Sequence, residues 1–155
     1  MNGKNLTPAM EDYIETIYLL EQKNKVARVS EIGRSMKVRK ASVVSAVSNL
    51  RKQDLINHEK YGFITLTQAG RETAETVYKK HKIILEFLEN ILKVEPEKAI
   101  EEACKIEHVL SGNTVDKLSV FLEQFKTEEK NETKNENTKN RKVKKNAASK
   151  KKVSK

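Results

Sequence analysis

The N-terminal part of the chain carries apolar residues at helical spacing. Thr7-Pro8 precedes them, and Thr is a good N-cap while Pro is tolerated at the first helical position. The pattern predicts an amphipathic first helix that fades in the polar run 21–25. Its apolar stripe consists of Tyr13, Ile14, Ile17, Tyr18 and Leu20.

Two shorter helices are predicted next. The first of them starts at Val29-Ser30 with Ser30 as its cap, and a turn over 38–40 separates it from a third helix over about 41–53. One face of the third helix is apolar at spacings i, i+3, i+4 and i+7, through Val43, Ala46, Val47 and Leu50. The opposite face carries Ser42, Val44, Ser45, Ser48 and Asn49.

A hairpin follows, because two β-prone runs between Leu55 and Thr67 flank a turn at Gly62. Three helices and then a hairpin is the order of a winged helix-turn-helix. The sequence therefore predicts a mainly α fold that begins with a winged helix-turn-helix domain over residues 6–73.

The remaining apolar positions predict a helical domain over residues 74–125. Thr67 caps a long helix that runs to about Leu92, and Pro96 starts another that runs to about Leu110. Gly112 and Asn113 break that helix. The last helix carries Val115, Leu118, Phe121, Leu122 and Phe125.

Charge is concentrated at the C-terminal end. Residues 126–155 hold twelve Lys or Arg and four Glu, which is +8 of the chain's net +9. Almost none of these residues is apolar, so we expect a disordered Lys-rich tail. Residues 1–125 are nearly neutral, and any DNA-binding face must therefore be local.

The chain is expected to be cytoplasmic. Its single cysteine, Cys104, excludes an intrachain disulfide and fits a reducing compartment. Residues 1–10 lack the apolar stretch of a secretory signal, and no window approaches eighteen consecutive apolar residues.

The third helix is the candidate DNA reader, because a helix fits the major groove of B-DNA. Small side chains on its outer face allow close approach to base edges, exposed Val44 offers a contact to a thymine methyl, and basic residues at its start are placed for phosphates. Two residues at the wing tip face a neighbouring phosphate or the minor groove. The DNA-binding candidates are Arg39, Lys40, Ala41, Ser42, Val44, Ser45, Lys60 and Tyr61. Plain solvent exposure is the alternative for the individual contacts.

A second constellation has the chemistry of a metal site. Cys104 shares a helix face with Glu107 and His108 at spacings of three and four, and thiolate, carboxylate and imidazole suit a divalent transition metal. Asp12 and Glu15 are i, i+3 neighbours on the first helix, and His81 begins the apolar half of the long helix. One site forms if these helices converge. Taken singly, each residue also fits a solvated face or an ordinary core position.

These segments resemble the diphtheria toxin repressor family, which includes iron-dependent repressors and the manganese transport regulator. The resemblance covers about residues 6–125, and the Cys-x-x-Glu-His segment at 104–108 is its most specific part. The other matching segments are 10–18, 27–32, 59–62 and 80–82.

The resemblance implies a homodimer with a winged helix followed by an α-helical metal-binding and dimerisation domain. It further implies Fe²⁺ or Mn²⁺ as corepressor and palindromic operators of metal-uptake genes as the DNA partner. No membrane or small organic substrate is expected among the partners, and no enzymatic activity. Carried over by position, the metal ligands are Asp12, Glu15, His81, Cys104, Glu107 and His108.

The ligand set mixes two branches of that family. The manganese branch matches at Asp12 and Glu15 but usually has Glu at the position of Cys104; the iron branch has Cys there but usually Met at the position of Asp12. The choice between Fe²⁺ and Mn²⁺ therefore stays open, with a slight preference for Fe²⁺ or mixed sensing. The principal alternative is a winged-helix regulator that responds to a non-metal signal; an enzyme and a membrane-surface protein are weaker ones.

Overall fold

The structure is a computed structural model, and it describes residues 6–59 and 62–128. The chain divides into two compact units, residues 1–110 and 111–155. The elements of the first unit are α1 (Pro8–Asn24), β1 (Ala27–Arg28), α2 (Val29–Met36), α3 (Lys40–Lys52), β2 (Ile56–His58), β3 (Phe63–Leu66), α4 (Gln68–Glu86) and α5 (Pro96–Ile106). In the second unit, one helix, α6, covers 112–128.

Helix α1 forms as its cap and stripe predict. The Thr7 side chain accepts a hydrogen bond from the backbone N–H of Met10, and Pro8 occupies the first turn. Ile14 and Ile17 are completely buried in the core of the winged helix. The helix ends at Lys25, whose φ of 66° is left-handed and whose N–H bonds to the carbonyl of Glu21.

Helices α2 and α3 build the helix-turn-helix. All four predicted apolar residues of α3 are buried, as the 3.6-residue period requires. The predicted cap of α2 is wrong: the helix begins at Val29 with Arg28 in the cap position and no side-chain cap bond, so Ser30 is already helical. Arg28 belongs to a strand, and strand pairing sets where the helix starts.

The hairpin belongs to a three-stranded antiparallel sheet of order β1-β3-β2. Ile56 pairs with Leu66 across the hairpin, and Ala27 pairs with Ile64 on the other side of β3. The two-residue β1 was not predicted, because its length is too short to show an alternating pattern. Gly62 has a φ of 78° in the turn, a conformation that favours glycine. Lys60 and Tyr61 lie outside the described residues.

Helix α4 packs closely against the segment that leads into β2. A Cβ atom at Gly70 would lie 1.8 Å from the carbonyl oxygen of Leu55, so only glycine permits this approach. Further along, Tyr78 of α4 meets Tyr18 of α1 with ring centroids 5.7 Å apart. The contact aligns α4 with α1. A π-helical turn over Phe87–Ile91 follows the end of α4.

Helix α5 ends earlier than predicted. It stops at Ile106, so Glu107 is its C-cap and His108 lies in the following turn rather than on the helix face. The helical structure is interrupted over 107–111, and α6 begins at Gly112. Helix α6 runs through residue 128, beyond the predicted limit at 125. The remainder of the predicted tail, 129–155, lies outside the described residues. Among the described helices, none has the length and apolar content needed to cross a bilayer.

Candidate metal centre

Three segments distant in sequence bring the six predicted ligands together. Helix α1 contributes Asp12 and Glu15, α4 contributes His81, and the end of α5 contributes Cys104, Glu107 and His108. The early end of α5 aids this convergence, because the turn at 107–109 carries two of the ligands toward α1.

Glu107 lies at the centre of the cluster. Its side chain is only 1% exposed, although it is ionisable. One oxygen, Oε2, lies 2.7 Å from Nδ1 of His81. The other, Oε1, has no hydrogen-bond partner within the described part of the chain and lies 3.7 Å from Nε2 of His108. A buried carboxylate oxygen without a partner is costly and calls for a cation.

Glu107 belongs to two groups of ligand atoms. Asp12, Glu107 and His108 form one group, and Glu15, His81 and Glu107 form the other. Within each group the ligand atoms lie within 4.8 Å of one another. The cluster therefore offers two adjacent cation positions that share one carboxylate.

Cys104 stands at the edge of the second group. Its Sγ lies 3.9 Å from Nδ1 of His81, while the residue as a whole is exposed. Burial of the sulfur and then the negative charges of Glu107, Glu15 and Asp12 raise the pKa of the thiol above its usual value. The thiol is placed to join a cation held by His81.

Glu11 is a functional candidate that the sequence reasoning missed. Its Oε2 lies 2.7 Å from Nδ1 of His108, and Oδ1 of Asp12 lies 2.9 Å from Nε2 of the same ring. The available signal was helical spacing: Glu11 is four residues before Glu15 and adjacent to Asp12, so three carboxylates share one side of α1.

The pKa shifts share one cause, an excess of negative charge in a partly buried place. Burial and the neighbouring Glu107 raise the pKa of Glu15 to about 7. The hydrogen bond to Glu107 raises the pKa of His81. Burial lowers the pKa of His108, but its bonds to Glu11 and Asp12 outweigh burial and raise it.

The donor set fits a divalent transition metal. It combines carboxylates, imidazoles and one thiol, and the ion pairs of its carboxylates among the described residues are with histidines only. A cleft of about 430 Å³ is lined by Asp12, Glu15, His81 and Cys104 and gives an ion a route to the ligands.

The predicted DNA-reading face is exposed. Arg39 is the N-cap of α3, and Lys40, Ala41, Ser42 and Ser45 are exposed on its first turns. Val44 is 50% exposed, which is unusual for a large apolar side chain. Within the described part of the chain, the face is exposed and presents two basic side chains at the helix start.

Fold and site together define a winged-helix protein with a metal centre between α1 and the helices after the wing. Two family models agree: "Iron dependent repressor, N-terminal DNA binding domain" matches residues 5–64, and "Iron dependent repressor, metal binding and dimerisation domain" matches 67–135. The chain belongs to the iron-dependent repressor family of metal-dependent transcriptional regulators. This confirms the predicted resemblance, fold class and functional class.

Curated relatives align with the chain along most of their length. The HTH-type transcriptional regulator MntR of Bacillus subtilis is 35% identical over 123 residues, covering 79% of this chain and 86% of MntR. An uncharacterised HTH-type transcriptional regulator of Methanocaldococcus jannaschii is 35% identical over 122 residues, covering 78% of this chain and 98% of that protein.

Solved structures show the same fold. The manganese regulator SloR matches with a TM-score of 0.68 and 33% identity, over 76% of this chain and 55% of SloR. IdeR of T. acidophilum matches with a TM-score of 0.67 and 25% identity, over 79% of this chain and 55% of IdeR. The chain thus spans about half the length of these two solved proteins. The family and its manganese-regulating members support Fe²⁺ or Mn²⁺ as the bound ion.

Proposed function

We propose that the chain is a cytoplasmic repressor that binds operator DNA as a homodimer when Fe²⁺ or Mn²⁺ occupies the cluster, and so controls genes of metal-ion homeostasis. The observation that carries the proposal is the buried Glu107, which has one oxygen without a hydrogen bond and lies between two histidines. A buried carboxylate in this setting is suited to binding a cation.

The ligands in this proposal are Asp12, Glu15, His81, Cys104, Glu107 and His108, with Glu107 shared between two positions. A bound divalent cation supplies the positive charge that offsets the three carboxylate ligands, Asp12, Glu15 and Glu107. Asp12 and Glu15 then hold α1 against His81 and Glu107, which fixes the winged helix relative to α4 and α5. Without that charge, repulsion between Glu15 and Glu107 loosens the contact.

DNA binding follows from that restraint. A palindromic operator demands two reading helices at a fixed separation, so restraining the winged helices removes an ordering cost from DNA binding. The coupling is expected to be about 1–3 kcal/mol. The contacts would come from Arg39, Lys40, Ala41, Ser42, Val44 and Ser45 of α3, and from Lys60 and Tyr61 at the wing tip.

The domain limits are part of the proposal. We assign residues 6–73 to the DNA-binding domain and 74–125 to the metal-binding and dimerisation domain; the two family models, over 5–64 and 67–135, support two domains in this order. The Lys-rich segment after 125 adds non-specific, salt-sensitive attraction to DNA.

The test is a gel-shift assay of the full chain on DNA from upstream of its own gene, with Mn²⁺, anaerobic Fe²⁺, Zn²⁺ or chelator, together with calorimetric titration of Mn²⁺. We expect Fe²⁺ or Mn²⁺ to strengthen operator binding, and His81→Ala and His108→Ala to abolish the effect. His58→Ala is the matched control for calorimetry, since His58 lies on β2 outside the cluster. Unchanged metal stimulation in both cluster variants would refute the proposal and favour a non-metal signal.

A further inference from the structure

The imidazole of His108 is held by a carboxylate at each of its two nitrogens. Nδ1 lies 2.7 Å from Oε2 of Glu11, and Nε2 lies 2.9 Å from Oδ1 of Asp12. Both carboxylates come from α1, 96 and 97 residues away in sequence. The His108 side chain is only 9% exposed, so these contacts dominate its surroundings.

The two nitrogens face different surroundings. Nε2 points to the ligand group, because Oε1 of Glu107 lies 3.7 Å from it in addition to Asp12. Nδ1 points to Glu11, which belongs to neither group of ligand atoms. Glu11 therefore lies on the side of the ring away from Asp12 and Glu107.

We propose that Glu11 is a positioning residue for the metal centre: it accepts a hydrogen bond from Nδ1–H of His108 and thereby presents Nε2 as the ligand atom. The inference rests on the proposed function, because it assumes that His108 binds the ion. It assigns no direct metal contact to Glu11.

The physical argument is the choice of tautomer. A neutral imidazole carries one proton, and only the nitrogen without it can bind a metal. A carboxylate at Nδ1 keeps the proton there, leaves the Nε2 lone pair free, and makes the imidazole a stronger donor. It also fixes the ring plane. Since Glu11 and Asp12 are neighbours on α1, the same helix orients the ring and supplies a ligand.

Metal affinity is the first readout. Mn²⁺ is titrated calorimetrically into the full chain and into Glu11→Ala and Glu11→Gln. Removing an outer partner of a metal-bound histidine typically costs about 10–100-fold in affinity, and we expect a loss in that range for Glu11→Ala. Gln keeps an oxygen that accepts from Nδ1–H, so Glu11→Gln should retain more affinity than Glu11→Ala. Glu75→Ala and Glu75→Gln are matched controls, because Glu75 is exposed on α4.

The tautomer itself is the second readout, and a merely structural role for Glu11 would not move it. In the Cd²⁺-loaded, ¹⁵N-labelled wild-type chain, long-range ¹H–¹⁵N spectra should show His108 protonated at Nδ1 and bound through Nε2. Glu11→Gln should keep this pattern, and Glu11→Ala should weaken or lose the Nδ1–H signal.

The outcomes separate this inference from the proposed function. Loss of Mn²⁺ binding in His108→Ala, with wild-type affinity in Glu11→Ala, would overturn the role of Glu11 and leave the function intact. A wild-type His108 protonated at Nε2 in the Cd²⁺ form would overturn it as well. Wild-type Mn²⁺ affinity in His108→Ala would defeat the proposed function itself.

Discussion

Two polar contacts tie α1 to the part of the chain that follows the wing, and they differ in charge balance. Near the C-terminal end of α1, Glu21 pairs with Arg71 of α4 at 2.5 Å and accepts a hydrogen bond of 3.0 Å from the backbone of Leu66. Near the N-terminal end, Asp12 and Glu15 meet Glu107, another carboxylate, with only histidines as ionic partners among the described residues. The first contact is complete within the protein, whereas in our proposal a cation completes the second.

The comparison shows that one fold combines two kinds of contact. We call the Glu21–Arg71 contact the permanent joint and the cluster around Glu107 the conditional joint. Glu21 is only 8% exposed and is paired with Arg71, so this contact does not depend on a bound cation. Among the described residues, the carboxylates of the cluster pair with histidines and not with Lys or Arg, so the strength of this contact depends on what the cluster binds. A winged helix held firmly at one end and conditionally at the other is suited to switching.

The largest expected effect comes from breaking the permanent joint. Arg71→Met leaves the Glu21 carboxylate buried without its cation. Such a loss costs about 3–5 kcal/mol, and the partial exposure of Arg71 places the effect near 3 kcal/mol. Urea unfolding of the metal-free chain measures it, with Arg34→Met on the exposed face of α2 as control. A loss below about 1 kcal/mol would show that Glu21 does not depend on Arg71.

A smaller effect on the free energy of unfolding is expected when Mn²⁺ binds at the conditional joint. Free Mn²⁺ at a hundred times its Kd should raise the free energy of unfolding of the wild type by about 2.7 kcal/mol. Glu107→Gln should show no such increase, while Arg71→Met should keep it, because the two joints are separate. Urea unfolding with Mn²⁺ and with chelator tests this. An increase in Glu107→Gln as large as in the wild type would contradict the central place of Glu107.

The smallest expected effect has the opposite sign from that of Arg71→Met. The pKa of Glu15 in the folded chain is about 7, above its ordinary value of 4.5. The folded state therefore binds the proton more tightly than the unfolded state, and this group's contribution to stability falls as pH rises from about 4.5 through 7. Glu15→Gln removes that penalty.

The metal-free Glu15→Gln variant should thus be more stable than the wild type at pH 7.5, and the difference should vanish near pH 4. Solvent screening at this half-buried carboxyl reduces the gain to on the order of 1 kcal/mol. Thermal unfolding in chelator at both pH values measures it, with Glu75→Gln as control. A Glu15→Gln variant less stable than the wild type at pH 7.5 would mean that its carboxylate is stabilised by the cluster.

Local sequence patterns correctly predicted much of the fold. The buried face of α3, the Thr7 cap and the Gly62 turn all followed from spacing and conformational preference. Local patterns failed where distant segments intervene: β1 exists only because β3 pairs with it, and α2 begins at Val29 because β1 ends at Arg28. A two-residue strand has no periodicity to recognise.

The site, like the fold, could be predicted only in part from the sequence. Sequence and family resemblance named six of the residues that the structure brings together, because ligand chemistry and short spacings are visible along the chain. Neither revealed Glu11, whose partner His108 lies 97 residues away, and neither revealed that α5 ends before Glu107. The contact depends on the packing of α1 beside the end of α5.

By itself, the sequence determined which faces are apolar, where α1 and α4 begin, and which side chains have metal-binding chemistry, since these depend on neighbours a few residues apart. Only the tertiary structure decided that Glu107 is buried with an oxygen lacking a hydrogen bond, and that His108 is held at both nitrogens. The reason is physical: burial and electrostatic imbalance arise from surfaces brought together from distant parts of the chain.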